Sequence, residues 1–533
     1  MTASPKYPAR RPRNLPALLY AALAGILAAG TVLAAAELAG SFFTARARPL
    51  IALGSTFIDF TPLWLKNFAV ETFGTNDKAA LFAGMALTIA VLAACAGILA
   101  HRRWGLGVAA VLIMGAVIVA CVVTRAGASP VDAIPTVLGT AVGIGVLRGL
   151  IRRTPAAESG ESDESRGGRS PAPLRNRPTR RGFFTAAGLT VIAGTAAAAG
   201  GRAIAAARNT TASFRAALKL PAAADPASAL PAGLQSPVAG VTPWLTSNAD
   251  FYRIDTALSV PEIDVETWEL RIHGMVEEEV RISFAELLDS PLIERHLTLT
   301  CVSNPLGGDL AGTAKWLGLP VRELLARARP AADADMVLST SVDGFSASTP
   351  LEVLQDDRDA LLAVGMNGEP LPPVHGYPVR MVVPGLYGFV SATKWIVDME
   401  VTRFDAQTAY WTDRGWAEKA PVKTMARVEV PASFARVPAG PVDVGGTAWS
   451  QQRGITGVEV SIDNGDWQPA VLAAEASVDT WRQWSFRTDD LSSGNHTVRA
   501  RATDPQDGVQ TGARADTVPD GASGWQSVQF MVE

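Results

Sequence analysis

Long uninterrupted apolar runs fill the first third of the chain, and short alternating runs fill most of the rest. Four stretches, 15–40, 79–100, 104–124 and 131–151, have the length and apolarity of membrane-spanning helices. The loop 41–78 carries Phe57, Phe60, Trp64 and Phe68, a pattern for a helix in the interface or a short extra span. Residues 152–181 have no apolar period and are rich in Arg, Ser, Gly, Glu and Pro, so a disordered linker is expected there. A fifth apolar stretch follows at 182–206, then an Ala/Pro-rich tether at 207–240. From 241 to 405, strand-like runs (TWELRIHG, TLTCV, MVLSTSV, VRMVVPG, KWIVDMEV) alternate with helix-like ones (FAELLDS, LPVRELLARA, PLEVLQD), an α+β pattern. Residues 418–533 read as short strands with turns at Asp463–Asp466 and Ser492–Asn495, suggesting an all-β immunoglobulin-like sandwich.

The distribution of charge orients this layout. Lys6, Arg10, Arg11 and Arg13 precede the first span, Arg102 and Arg103 separate the second and third, and Arg148, Arg152 and Arg153 follow the fourth. All fall on the cytoplasmic side if the N-terminus is inside; Arg46 and Arg48 are a mild exception. Thr179-Arg180-Arg181-Gly182-Phe183-Phe184 before the fifth stretch has two readings, a twin-arginine export signal or the basic flank of a fifth span. Either puts 207–533 on the extracytoplasmic face of a multi-pass membrane protein in contact with lipid. With 47 basic and 51 acidic residues the chain is not a nucleic-acid binder.

Five histidines are present, and only His101 falls in the apolar region; no C-x-x-C-H occurs. A bis-histidine haem in the bundle is therefore excluded, and no haem is expected in this chain. Beyond residue 205 there is one cysteine, Cys301, which cannot form an internal disulfide. It ends an apolar strand-like run and opens a loop with Ser303, Asn304, Gly307 and Gly308. A buried inert thiol is the plain reading of such a residue; a thiolate presented at a loop edge is the functional one. His375 and Arg380 likewise read as a turn histidine and a strand-edge charge when taken alone.

In order along 245–530 the segments FYRIDTAL, LRIHGMV, TLTCVSN, GTAKWLGLPVRELL, DGFSASTP, MNGEPLPPVHGYPVRMVVPGLYGFVSATKW and TAWSQQRGITGVEVSIDNGDW resemble the sulfite oxidase family of molybdopterin-dependent oxidoreductases. The resemblance implies molybdenum carried by one pterin, with Cys301 as the protein's thiolate ligand to the metal. It implies His375, Arg380, Ser391, Thr393, Lys394 and Asn304 as cofactor binders, and Arg253 and Arg453 as catalytic-site arginines facing a small anionic or polar oxo substrate. Three positions depart from the family: Phe345 replaces a tyrosine, Asp255 a histidine, and no arginine follows Cys301 closely. The implied activity is oxygen-atom transfer with electrons passed to a separate carrier, and the implied C-terminal domain is of the dimerisation type, so a homodimer is expected. Two alternatives remain open: reduction of a sulfoxide or other oxo-acceptor, and a cofactor-free cell-surface binding protein.

Overall fold

A computed structural model describes residues 15–43, 47–62, 65, 77–124, 129–155, 179–207, 210–257 and 259–533. Most of the expected linker, 156–178, lies outside them, as do Trp64 and Phe68. The chain divides into two compact units, 1–209 and 210–533.

In the first unit the apolar stretches form α1 (Leu15–Gly40), α2 (Pro49–Phe60), α3 (Asp77–Arg102), α4 (Trp104–Val123), α5 (Ile134–Ile151) and α6 (Arg180–Ala207). All except α2 are long and apolar enough to cross a membrane, by length and composition. Small residues let the helices touch. A Cβ on Gly25 would lie 2.0 Å from the Ala93 carbonyl oxygen, and one on Gly97 2.1 Å from that of Ala21, so α1 and α3 meet backbone to backbone. Glu37, near the end of α1, accepts from Arg48 Nε at 3.1 Å and from the Leu50 amide at 3.3 Å. This pairing accounts for the arginine that departs from the basic-inside pattern.

The second unit contains twenty strands. The first ten are β1 (Glu269–Gly274), β2 (Val280–Ser283), β3 (Ile293–Thr300), β4 (Ala311–Pro320), β5 (Met336–Ser341), β6 (Ser346–Pro350), β7 (Leu361–Met366), β8 (Glu369–Pro370), β9 (Arg380–Val382) and β10 (Ile396–Thr402). They make one sheet ordered β2-β1-β10-β5-β6, in which β1 and β10 run parallel, and an antiparallel sheet ordered β3-β4-β7-β8 with β9 also on β7. Short helices cover them, at Phe284–Leu288, Val321–Ala328 and Leu351–Gln355. The first is closed by a reciprocal Ser283–Glu286 capping box. Both sheets share one core, in which Trp316, Tyr377 and Trp395 are almost wholly buried.

The remaining strands are β11 (Met425–Val430), β12 (Arg436–Val437), β13 (Gly440–Trp449), β14 (Gly457–Ile462), β15 (Gln468–Pro469), β16 (Val471–Leu472), β17 (Arg482–Leu491), β18 (Gly494–Asp504), β19 (Gly508–Val509) and β20 (Ser527–Val532). They form a four-stranded sheet, β11-β13-β17-β16, and a sheet ordered β12-β20-β18-β14-β15, with β19 on β18. Val444 and Trp484 of the first meet Val460, Ala500 and Phe530 of the second in a separate core. The tryptophans of this region divide. Trp484 is central to that core, whereas Trp449 and Trp481 belong to the core of the α+β part. Trp467 meets Trp525 edge to face at 4.9 Å.

The stretch expected as a tether is partly built into the unit. Arg215 donates to the Leu371 and Pro370 carbonyls, the Ala224 amide to Leu292 O, and the Ser236 amide to Gln483 Oε1 at 2.6 Å. Its small and apolar residues dock because Leu234 has core to enter. A buried ion pair within β11 supports a contact between the two halves of the unit. Glu429 accepts from Arg427 at 2.6 Å and from Thr447 at 2.8 Å, and Arg427 Nη1 donates to the Gly308 carbonyl at 2.9 Å. Arg427→Met strands the Glu429 carboxylate without its cation, so a loss of about 3–5 kcal/mol is expected. Urea unfolding of the full chain, followed by tryptophan fluorescence, measures it.

Candidate functional site

β3 delivers its last residue, Thr300, to the edge of a cleft, and Cys301 is the first residue past it. The loop behind it is tightly closed. The Cys301 amide donates to Leu310 O at 2.9 Å, the Asn304 amide to Cys301 O at 3.1 Å, and the Leu310 amide to Asn304 Oδ1 at 3.0 Å. A Cβ on Gly308 would fall 2.4 Å from Asn304 Oδ1, so only glycine lets this loop fold back on itself. Cys301 is buried, which pushes its thiol up; the Ser303 amide and hydroxyl, and the charge of Lys394, pull the other way without overcoming burial.

The cleft, counted with the solvent at its opening, spans about 900 Å³ and is lined by Cys301, Ser303, Tyr252, Asp255, His375, Arg380 and Lys394, together with Phe345, Phe389, Trp411 and Trp416. Arg380 opens β9 and lies over the Trp316 ring at 5.2 Å, donating to His375 O at 3.1 Å. Burial lowers it to about 10. Lys394 precedes β10; burial lowers it to about 8, although Asp255 Oδ2 accepts from it at 2.8 Å. The same oxygen accepts from Arg253 Nε at 2.9 Å. Gly376, at φ 114°, allows this crowding, because a Cβ there would sit 2.9 Å from that of Arg380 and 3.2 Å from that of Lys394.

His375 Nε2 lies 2.8 Å from the Asn248 carbonyl, which can only accept, so Nε2 carries the proton and Nδ1 keeps a free lone pair. Burial pushes its pKa down to about 4; the Asn248 contact opposes this, and the charges of Arg380, Lys394 and Arg253 reinforce it. Tyr252 is raised by burial and by the nearby Cys301, so it stays a hydroxyl.

Cys301, His375, Arg380 and Lys394 therefore meet at one cleft. Other residues expected there are used elsewhere. Asn304 closes the Cys301 loop, Ser391 Oγ donates to Tyr387 O at 2.9 Å, and Thr393 Oγ1 shares a 2.7 Å hydrogen bond with Ser339. Arg253 lines a neighbouring groove and is held by Asp255. Arg453 lines neither. It donates to Ser450 Oγ at 2.9 Å and Val422 O at 2.8 Å, and lies 3.7 Å from Asp504 and 3.6 Å from Asp507. Arg253 thus stands beside the cleft through Asp255, whereas Arg453 is claimed by nearby carboxylates and carbonyls. Sequence reasoning missed Tyr252, Trp411 and Trp416. The first directly precedes Arg253, and the other two fall in 406–417, a stretch that the periodic pattern leaves unassigned.

The displaced His375 titration has a measurable consequence. An unfolded chain takes up this proton near pH 6.5 and the folded chain only near 4, so stability falls as pH drops between those values. His375→Gln should lose that part of the acid sensitivity, seen as a difference between the two proteins' unfolding midpoints across pH 7 to 4.

Residues 257–411 match the oxidoreductase molybdopterin binding domain. Mouse mitochondrial sulfite oxidase is 28% identical over 291 residues, covering 46% of this chain and 53% of that protein. The NADH nitrate reductase 2 of Phaseolus vulgaris is 30% identical over 178 residues, covering 28% of this chain and 20% of its own length. The uncharacterized oxidoreductase YuiH of Bacillus subtilis is 29% identical over 153 residues, covering 29% and 74%. Among solved structures, the sulfane dehydrogenase SoxCD of Paracoccus pantotrophus aligns with a TM-score of 0.48 and 23% identity, over 55% of this chain and 85% of that one. The chain spans about half the length of the sulfite oxidases it matches. With a molybdopterin binding domain at 257–411 and relatives of this kind, the chain belongs to the sulfite oxidase-type family of molybdopterin oxidoreductases.

Proposed function

We propose that residues 241–533 are the catalytic part of a membrane-anchored, extracytoplasmic molybdenum enzyme of sulfite-oxidase type, working by oxygen-atom transfer. The observation that carries this is the single cleft shared by the Cys301 thiol and the buried cations Arg380 and Lys394. The donor set suits a molybdenum–pterin group. A soft sulfur faces the space where a metal would lie, two desolvated cations suit a phosphate, and the His375 lone pair suits a pterin N–H. Among the described residues no cluster of three His, Cys, Asp or Glu side chains is present, which suits a metal whose remaining ligands come with its cofactor.

In this assignment Cys301 binds the metal, and His375, Arg380 and Lys394 hold one pterin. When bound, the group supplies two-electron oxygen-atom exchange. The chain's own contribution is to bind and orient it, to keep water from the cations, and to hold the Ser303 donors against sulfur. Electrons leave to a separate carrier, since the sequence offers no spaced histidine pair or C-x-x-C-H for a haem. The C-terminal sheets serve as an immunoglobulin-like dimerisation domain, and the apolar helices anchor the chain in lipid, with Arg180-Arg181 acting in export.

Cys301→Ser should retain pterin and lose turnover, because a hard hydroxyl is a poor replacement for a thiolate. Pterin fluorescence after acid release, beside metal analysis and turnover, reads both; wild-type turnover in this variant sinks the assignment. For topology, reporters fused after residue 165 and after residue 240 should report opposite compartments. The same compartment for both rules out the extracytoplasmic placement.

A further inference from the structure

The mouth of the cleft is built from aromatic rings that the proposed chemistry does not use. Phe345, Phe389, Trp411 and Trp416 line it, with Ile254 and Val302 beside them. The rings form a continuous chain of contacts: Phe345 to Tyr410 at 5.9 Å, Tyr410 to Trp411 at 5.2 Å, Trp411 to Trp416 at 6.0 Å, and Trp416 to Phe389 at 5.7 Å. The chain is fixed in place. The Tyr410 amide donates to Ser346 Oγ at 3.1 Å, and Arg414 lies over the Tyr410 ring at 3.6 Å while donating to its carbonyl. Yet Phe345, Phe389, Trp411 and Trp416 are all only partly covered by protein. Four large rings left partly exposed along one cleft are a costly arrangement for a free surface and an economical one for a ligand's apolar group.

The charges at the cleft point the same way. Among the described residues that line it, the cations are Arg380, His375 when protonated, and Lys394; the acids are Asp255 and Asp343. Lys394 is paired with Asp255, and Arg380 is buried beneath the cofactor space against Trp316. Asp343 stands nearer the rings, accepting from Thr256 Oγ1 at 3.3 Å and from the Phe345 amide at 3.4 Å. Of the two cations that would attract a small anion, Arg453 is held elsewhere, and Arg253, beside the cleft, is paired with the Asp255 carboxylate. An inorganic oxyanion entering here would meet ring faces and a carboxylate, both repulsive to negative charge.

We propose that this cleft takes a neutral organic oxo compound, or its reduced partner, whose apolar substituent lies on the shelf formed by Phe345, Phe389, Trp411 and Trp416. The inference rests on the molybdenum reading above and names its substrate class. Specificity comes from ring contact with the substituent, and small inorganic anions are disfavoured.

The test uses the full-length protein purified in detergent, with its molybdenum and pterin content measured first. Calorimetric titrations with methyl phenyl sulfoxide, dimethyl sulfoxide and sulfite then report on the shelf. The phenyl compound should bind roughly tenfold or more tighter than the dimethyl one, because it buries a ring's worth of additional apolar surface. Equimolar sulfite should not displace it. In Trp416→Ala, and independently in Phe345→Ala, the phenyl preference should fall to about threefold or less, with metal and pterin content maintained. Two variants guard against one failing to fold. Equal binding of the two sulfoxides, displacement by sulfite, or a preference that survives both substitutions overturns the inference. Absence of molybdenum and pterin from the wild-type protein instead overturns the reading on which it rests, and the ratio of the two sulfoxides is still read.

Discussion

Arg380 and Lys394 are cations held out of water, and the architecture of the cleft follows from what it takes to keep them there. Burial is the main cause that brings Lys394 down to about 8 and Arg380 to about 10; the charge of Arg380 also lowers Lys394, and both charges lower His375. The protein offsets this with a ring face under Arg380, a carbonyl from His375, and a carboxylate from Asp255 against Lys394. Such a pair is already desolvated, so an anionic group of the proposed cofactor would meet little reorganisation on binding.

That requirement also explains a substitution that looks anomalous in the sequence. Asp255 stands where the family resemblance implies a histidine, and its carboxylate bridges Lys394 and Arg253. A histidine there would be neutral or cationic and would leave two positive groups uncompensated. Having taken Arg253 into this bridge, the protein keeps no free guanidinium among the described residues lining the cleft, whose outer wall is aromatic instead.

Around the thiol, order comes from a distance. The Cys301 loop closes on itself through Asn304, but it is also gripped from the C-terminal sheets. Arg427 holds the Gly308 carbonyl, Gln451 Nε2 reaches Thr298 O at 3.2 Å, and the Trp481 amide donates to Thr298 Oγ1 at 2.8 Å. Trp481 also donates its ring N–H to Trp244 O at 2.8 Å, which draws the segment before the first strand into the same joint. Thus the C-terminal sheets are structural partners of the Cys301 loop and cannot be treated as a detached appendage.

Local periodicity determined a great deal. The apolar stretches became α1, α3, α4, α5 and α6, and the alternating runs became strands that deliver Cys301 at the end of β3, Arg380 at the start of β9 and Lys394 just before β10. These elements are set by neighbours in the chain, but that Cys301, His375, Arg380 and Lys394 belong to one site was implied only by the family resemblance of the segments that carry them. Pairings across long separations were not. Nothing in a one-dimensional pattern states that Asp255 meets Lys394 across 139 positions, or that Arg453 turns to Val422 and Asp504. Nor does it state that Trp449 and Trp481 leave the all-β core for the neighbouring one. The aromatic shelf was equally hidden, since its rings come from separate, aperiodic stretches of chain. The sequence determined which groups are available and on which elements they ride; the tertiary structure decided which charges neutralise one another, because that depends on distance and burial.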